Sequence, residues 1–324
     1  MVLVTGATGL IGSYICKVLI DHGFSVRAIF RKSSDFKLLS GFKEKIDWTE
    51  ADILDILRLE RAMEGVEIVI HAAAMISFHK RDHKSMFKIN VEGTANVINA
   101  ASRAGVKQVI HISSVAALGR TKSSSVIDEN NKWENSSYNT GYAVSKYLAE
   151  LEVWRGQEEG LNVVIVNPSV VLGPGDWEKS STRIFKYVWD EKRFYTKGSM
   201  NYVDVRDIAE VVRRLIGADI LGQRFIVSAG HVSYKDIFAF IAKRFQRKAP
   251  NMAVNKPLLN LVLLFSRIGS LLTGGRPLIG WESANMAGLS FYYDNTKLQN
   301  TLNFHFRSLE DTLDWTCQVL KARN

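Results

Sequence analysis

The chain has 324 residues, 46% of them hydrophobic, with two cysteines and a formal net charge of +9. This is enough apolar material for one large core, and it excludes a disulfide-built miniprotein, a disordered acidic chain and a string of small modules. The 42 basic residues are scattered among 33 acidic ones without a stripe or interleaved aromatics. Nucleic-acid binding is therefore not expected, and the charge reads as a solvated surface favouring anionic ligands.

The N-terminus enters a strand at Val2 with no charged leader or cleavage site, so no secretory signal is expected. Cys16 and Cys317 lie far apart without metal spacing, which predicts two buried thiols, no metal and a cytoplasmic location. The first strand, Val2–Val4, runs into Thr5-Gly6-Ala7-Thr8-Gly9-Leu10-Ile11-Gly12 and a helix over Leu10–Asp21. Glycines at this spacing permit a tight turn, close approach of the backbone to a pyrophosphate and close helix–strand packing. The helix N-terminus adds free N–H groups for the anion. Gly6, Thr8, Gly9, Leu10, Ile11 and Gly12 are thus expected to cradle a dinucleotide.

The second strand, Ser25–Phe30, ends in Phe30-Arg31-Lys32. A site for NAD would place an acid there, on the ribose 2′-hydroxyl. Arg31 supported by Lys32 suits a 2′-phosphate instead, so NADP(H) is expected over NAD(H); the alternative is that both cations only face solvent. Further strands are predicted at Ile46–Thr49, Glu67–His71, Gln108–Ile112 and Val163–Asn167. Four helices end at Gly23, Gly65, Gly105 and Gly160, and an apolar run rich in Val and Ile follows each. Alternating helices and doubly covered strands predict an α/β fold, a doubly wound parallel sheet of the Rossmann type.

Residues 1–168, with parts of 200–230, are assigned to this dinucleotide-binding domain. After Pro168 the rhythm weakens, and residues 169–324 read as a smaller, mostly helical, partly interleaved substrate-binding region. Within it Leu258–Leu272 is apolar but interrupted and too short to span a bilayer. A helix buried under a substrate lid is the favoured reading, and contact with a membrane surface the less favoured one. Phe78, Trp177, Phe185 and Leu258–Leu272 together suggest an apolar or aromatic small-molecule substrate.

Tyr-x-x-x-Lys occurs twice, at Tyr142/Lys146 and at Tyr293/Lys297. Tyr142 opens a helical run, which puts its hydroxyl and the Lys146 ammonium on one helix face. The ammonium, together with an oxidised nicotinamide, is expected to lower the phenol toward the working range of an acid–base. Tyr293 and Lys297 lie in a turn-rich stretch and are read as structural. Ser113 and Ser114 follow the fifth strand at the carboxyl edge, where a donor could orient a substrate oxygen.

With these motifs the chain resembles the extended short-chain dehydrogenase/reductases, within the NAD-dependent epimerase/dehydratase type and closest to the dihydroflavonol-reductase-like and 3β-hydroxysteroid-dehydrogenase-like branch. The resemblance covers nearly the whole chain, including Ala51-Asp52-Ile53, His71-Ala72-Ala73-Ala74, Asn90, Ile112-Ser113-Ser114-Val115-Ala116, Asn167-Pro168-Ser169 and Asn201–Asp207. It implies Ser114, Tyr142 and Lys146 as the catalytic residues. It also implies that Asp52 and Ile53 meet the adenine, that Ala72, Ala73, Ala74 and Asn90 line the cofactor, that Lys146 holds the ribose, and that Pro168 and Val171 lie near the nicotinamide. Asn90 has a second reading, in helix packing, and Asp128-Glu129 reads either as a substrate-side loop or as a solvated turn. A homodimer through helices near Asp82–Ala104 and Tyr142–Gln157 is implied as well.

Three functions are open at this point. A carbonyl/alcohol oxidoreductase is favoured. A nucleotide-sugar epimerase or dehydratase is second: Val115 stands where dehydratases of the family carry an acid, and Met200-Asn201 where sugar-nucleotide enzymes commonly carry Arg-Asp. A non-catalytic NADP sensor is third, because all three catalytic positions are retained.

Overall fold

A computed structural model describes residues 1–120, 126–254 and 290–323. Leu258–Leu272 lies outside the described residues. Seven parallel strands form the central sheet: β1 (Val2–Thr5), β2 (Val26–Phe30), β3 (Asp47–Glu50), β4 (Ile68–His71), β5 (Gln108–Ile112), β6 (Val163–Pro168) and β7 (Gln223–Val227). Their spatial order is β7-β6-β5-β4-β1-β2-β3. The chain thus reverses direction across the sheet beside β1, leaving a crevice at the carboxyl ends of β1 and β4.

The six expected strands fall within a residue or two of their predicted bounds, and the helix α1 spans Leu10–Asp21. Gly23, Gly65, Gly105 and Gly160 all take positive φ where their helices end. The sequence reading lacked β7. Its first residues, Gln223 and Arg224, are the more exposed ones, so it carries the weak apolar pattern of an edge strand.

Helices cover both faces. On one side α1 packs against α5 (Val205–Leu215), burying Ile15, Leu19, Ile208, Val212 and Leu215 over β1, β5 and β6. On the other, α2 (Ile56–Ala62), α3 (Gly93–Arg103) and α4 (Gly141–Glu158) bury Leu59, Val97, Ile98 and Val153 against Leu3, Val69 and Val109. A separate core, built on Phe185, Met200, Phe238, Ile241 and Leu313, unites the helices Arg183–Trp189, α6 (Tyr234–Phe245) and α7 (Leu309–Ala322). Both cysteines are buried free thiols, each pushed up to about 12 mainly by burial. Among the described residues no helix is long and apolar enough to cross a membrane.

Candidate active site

Gly6 takes φ +69°, and a Cβ there would sit 2.6 Å from the Ala73 amide nitrogen. A Cβ on Gly12 would sit 2.2 Å from the Gly6 carbonyl oxygen. These two glycines let β1, β4 and α1 meet backbone to backbone, whereas Gly9 between them is exposed. Gly9 is also the N-cap of α1 and provides no side chain to cap it. The first N–H groups of α1 therefore have no side-chain partner there, as an anion site requires. Thr8, Leu10 and Ile11 are half-buried around the turn.

Arg31 and Lys32 stand exposed just beyond β2, in a turn closed by Ser34 N–H to the Arg31 carbonyl (2.8 Å) and by Arg31 N–H to the Ser34 hydroxyl (2.9 Å). Among the described residues no carboxylate pairs with either cation, while Phe30 turns into a cluster with Phe36 and Trp48. Asp52 accepts from Leu54 N–H (2.9 Å), and Ile53 is buried against Gly93. Ala72 and Ala73 are bound at the end of β4 to Thr5, and Ala74 is exposed. Pro168 is buried at the end of β6, with Val171 half-buried beyond it.

Thr5, His71 and His111 are register partners across β1, β4 and β5 at the carboxyl edge. The Thr94 hydroxyl donates to the Asn90 carbonyl (2.6 Å), so its oxygen accepts from His71 Nε2 at 3.0 Å. Thr5 Oγ1 accepts from Ala73 N–H and donates to His71 Nδ1 at 2.7 Å. These bonds fix His71 as the neutral Nε2–H tautomer, and burial with the nearby Lys146 charge lowers its pKa to about 3. Asn90 lies in a π-helical turn (Lys88–Glu92) just before α3. Its amide accepts from Met75 N–H (2.8 Å) and donates to the Met75 carbonyl and the Ser145 hydroxyl (both 2.9 Å). Asn90 thus ties the loop after β4 to α4.

Thr140 caps α4, its side chain accepting from Ala143 N–H, and so sets Tyr142 in the first turn. The half-buried Tyr142 phenol lies in the neighbourhood of the Ser114 side chain. Ser114 itself begins a 3-10 turn and accepts from Ala116 N–H at 3.2 Å. Lys146, one turn along, is 1% exposed; its Nζ donates to the Ile112 carbonyl (3.0 Å) and to His111 Nε2 (3.4 Å). Burial lowers Lys146 to about 8, with Glu150 opposing. Tyr142 departs from expectation. Burial raises it above 10, against smaller lowering by Ser114 and Arg120, and the Lys146 ammonium is spent on Ile112 and His111.

The aromatic expectation also changes. Phe185 is fully buried in the helical core, and Trp177 packs on Trp189 and Phe245. Of the three, only Phe78 meets the site, edge-on to Tyr142 at 6.0 Å and 40% exposed. Tyr293 and Lys297 are structural, though they reach the site's surroundings. Tyr293 OH accepts from Arg120 Nε (3.0 Å), and Lys297 Nζ donates to the Arg224 carbonyl (3.0 Å). Glu129 is neither solvated nor free: Oε1 accepts from Ile226 N–H (2.8 Å) on the edge strand. Sequence reasoning missed Arg120 and Glu150, which stand outside any motif read there. The spacing of four from Lys146 to Glu150 was the available signal.

The sequence matches the model of the NAD dependent epimerase/dehydratase family over residues 2–227. The chain belongs to that family. Its members bind a nicotinamide dinucleotide, and the turn at Gly6–Gly12 is built to fit one: two glycines closed by backbone, the third exposed before an uncapped helix. The protein is accordingly an NAD(P)-dependent enzyme of the extended short-chain dehydrogenase/reductase type. A putative dihydroflavonol 4-reductase of Synechocystis is 30% identical over 96% of this chain and 91% of its own length. Sterol demethylase protein B of Methylococcus capsulatus is 31% identical, covering 81% of this chain and 80% of its own. The solved structure of gox2253 superposes with a TM-score of 0.85 at 29% identity, covering 100% of this chain and 98% of that one.

Proposed function

We propose that the protein is an NADP(H)-dependent oxidoreductase that interconverts a carbonyl and an alcohol on a small apolar or aromatic substrate. The observation that carries this reading is the placement of Tyr142 and Lys146 one turn apart on α4, with Lys146 Nζ bonded to the Ile112 carbonyl just before Ser114, at the carboxyl edge above the glycine turn. When bound, the nicotinamide supplies or accepts the hydride. In the reducing direction Tyr142 gives its phenolic proton to the substrate oxygen while the Ser114 hydroxyl orients that oxygen. A phenol pushed up by burial keeps its proton and is ready to donate it. Lys146 has one N–H left after Ile112 and His111, which would hold the ribose hydroxyls. Gly6–Gly12 would take the pyrophosphate, Arg31 and Lys32 the 2′-phosphate, and Asp52 and Ile53 the adenine. Ala72–Ala74, Pro168 and Val171 would line the remaining wall; Asn90 would act behind it, through the loop it holds.

Phe78 beside Tyr142, and Phe291 under the Arg120 guanidinium (5.4 Å), support an aryl or apolar group on the substrate. The names of the relatives, a reductase and a sterol-processing protein, point the same way. Residues 1–168 with parts of 200–230 would bind the cofactor and 169–324 the substrate. We extend the reading to a cytoplasmic homodimer through α3 and α4, where Leu151 is 44% exposed.

The test is a screen of ketones, aldehydes and hydroxysteroids for NADPH oxidation or its reverse, alongside UDP- and GDP-sugars. Tyr142→Phe should remove turnover by about 10²–10⁴-fold while leaving NADPH affinity nearly intact. Retained turnover would place the acid elsewhere. Conversion of a sugar nucleotide without net cofactor turnover would establish the epimerase reading instead.

A further inference from the structure

Glu150 is an acid 1% exposed, on the face of α4 that also carries Lys146. Burial raises the Glu150 carboxyl above the usual carboxylate range, and Ser113, Arg224, Asn167 and Lys146 hold it back toward the ionised form. Asn167 Nδ2 donates to Glu150 Oε1 at 2.6 Å and, with its other N–H, to the Ser114 carbonyl at 3.0 Å. Turning that amide over would set its oxygen against both a carboxylate and a carbonyl, so Glu150 and the Ser114 carbonyl together decide which way Asn167 points. Asn167 in turn holds the main chain of Ser114. On the far side Arg224 Nη1 lies 3.5 Å from Glu150 Oε2, anchored by the carbonyls of Glu129 (2.7 Å) and Asn131 (3.0 Å).

We propose that Glu150 is a positioning residue for the Ser114–Tyr142–Lys146 group: through Asn167 it fixes the main chain of Ser114, and it stands one helical turn from the Lys146 amine on the same buried helix face. The proposal rests on the function inferred above for those three residues. The groups facing Lys146 are His111 on β5, with His71 behind it on β4, and Tyr142 and Glu150 on its own helix. Those facing Glu150 are Ser113 after β5, Asn167 on β6, Arg224 on β7 and Lys146. Both histidines are held neutral by burial, and Glu150 is the carboxylic acid among these groups.

Two variants separate the roles. Glu150→Gln retains an acceptor for Asn167 but removes the charge; Glu150→Leu removes both. In Glu150→Gln the alkaline limb of the kcat profile should move to lower pH by about one unit, since Lys146 then surrenders its proton sooner. Glu150→Leu should show the same displacement and a further loss of plateau kcat of about tenfold or more, from the freed Ser114. Independently of turnover, the titration of the Lys146 ¹³Cε resonance, assigned with Lys146→Arg, should fall in cofactor-free Glu150→Gln. An unmoved Lys146 titration in folded Glu150→Gln overturns the proposal. Absence of carbonyl turnover in the unaltered protein would sink the functional reading alone, because the resonance experiment needs no substrate.

Discussion

Gly12→Ala and Gly9→Ala divide stability from cofactor binding within one turn. Alanine is favoured over glycine inside a helix by about 1 kcal/mol, so a harmless Gly12→Ala would stabilise α1. The added Cβ would instead meet the Gly6 carbonyl oxygen at 2.2 Å, the Gly6 carbonyl carbon at 2.7 Å and Ala7 Cα at 2.8 Å. All three are backbone atoms, and relieving such crowding costs about 1–3 kcal/mol, which outweighs the helix gain. We expect a net loss of up to about 2 kcal/mol, read by circular dichroism as a melting temperature lower by up to about 3 °C. Because α1 must move off Gly6, NADPH affinity should fall by about tenfold or more. At Gly9 the nearest obstacle is the Gly6 carbonyl oxygen at 3.3 Å, and the position is exposed. Gly9→Ala should melt within about 1 °C of the parent and still lose NADPH affinity, since its methyl group occupies the ligand's approach. A higher melting temperature for Gly12→Ala would refute the packing argument. Undiminished NADPH affinity in Gly9→Ala would refute the cradle.

Arg31→Ala should cut NADPH affinity by about 10–100-fold, the worth of a charge-assisted contact, and leave NADH affinity in place; equal losses for both would remove the 2′-phosphate assignment. Arg120→Gln should raise Tyr142 further, because the guanidinium lowers it, and so shift the acidic limb of alcohol oxidation to higher pH. A shift the other way contradicts the placement of Arg120. His71 is neutral down to about 3 in the folded state and near 6.5 when unfolded. Between those values the unfolded chain binds the extra proton, so stability falls as pH falls through the window, by about 1.4 kcal/mol per pH unit for this residue. Urea titrations from pH 6 to 4 should give a shallower dependence for His71→Gln, and an unchanged slope would deny the buried neutral histidine.

Much of this molecule was readable from local signals, because local physics writes them. Four helices ended by glycine, each followed by a Val- and Ile-rich run, located the inner strands. The strand–glycine–helix spacing located the turn at Gly6–Gly12. What escaped depends on partners distant in sequence. β7 is half-exposed at its start and becomes a strand only beside β6. Phe185 and Trp177 read as substrate-facing because apolar residues in a helical region look alike whether they pack a core or line a cleft. The acidity of Tyr142 is hidden for a similar reason: sequence spacing shows Lys146 nearby, but not that its ammonium is bonded to the Ile112 carbonyl. Glu150 is silent in the sequence because its meaning comes from Asn167 and Arg224, on two other strands.

The contacts made by Tyr293 and Lys297 also bear on how the enzyme is born. During synthesis the glycine turn, Tyr142 and Lys146 leave the ribosome well before β7, and β7 leaves some seventy residues ahead of Lys297. The nascent chain can therefore close its nucleotide turn while Arg120 still lacks the phenol that holds it and Arg224 still lacks the ammonium on its carbonyl. Vectorial folding thus forms the Gly6–Gly12 turn first and brings in the partners of Arg120 and Arg224 last.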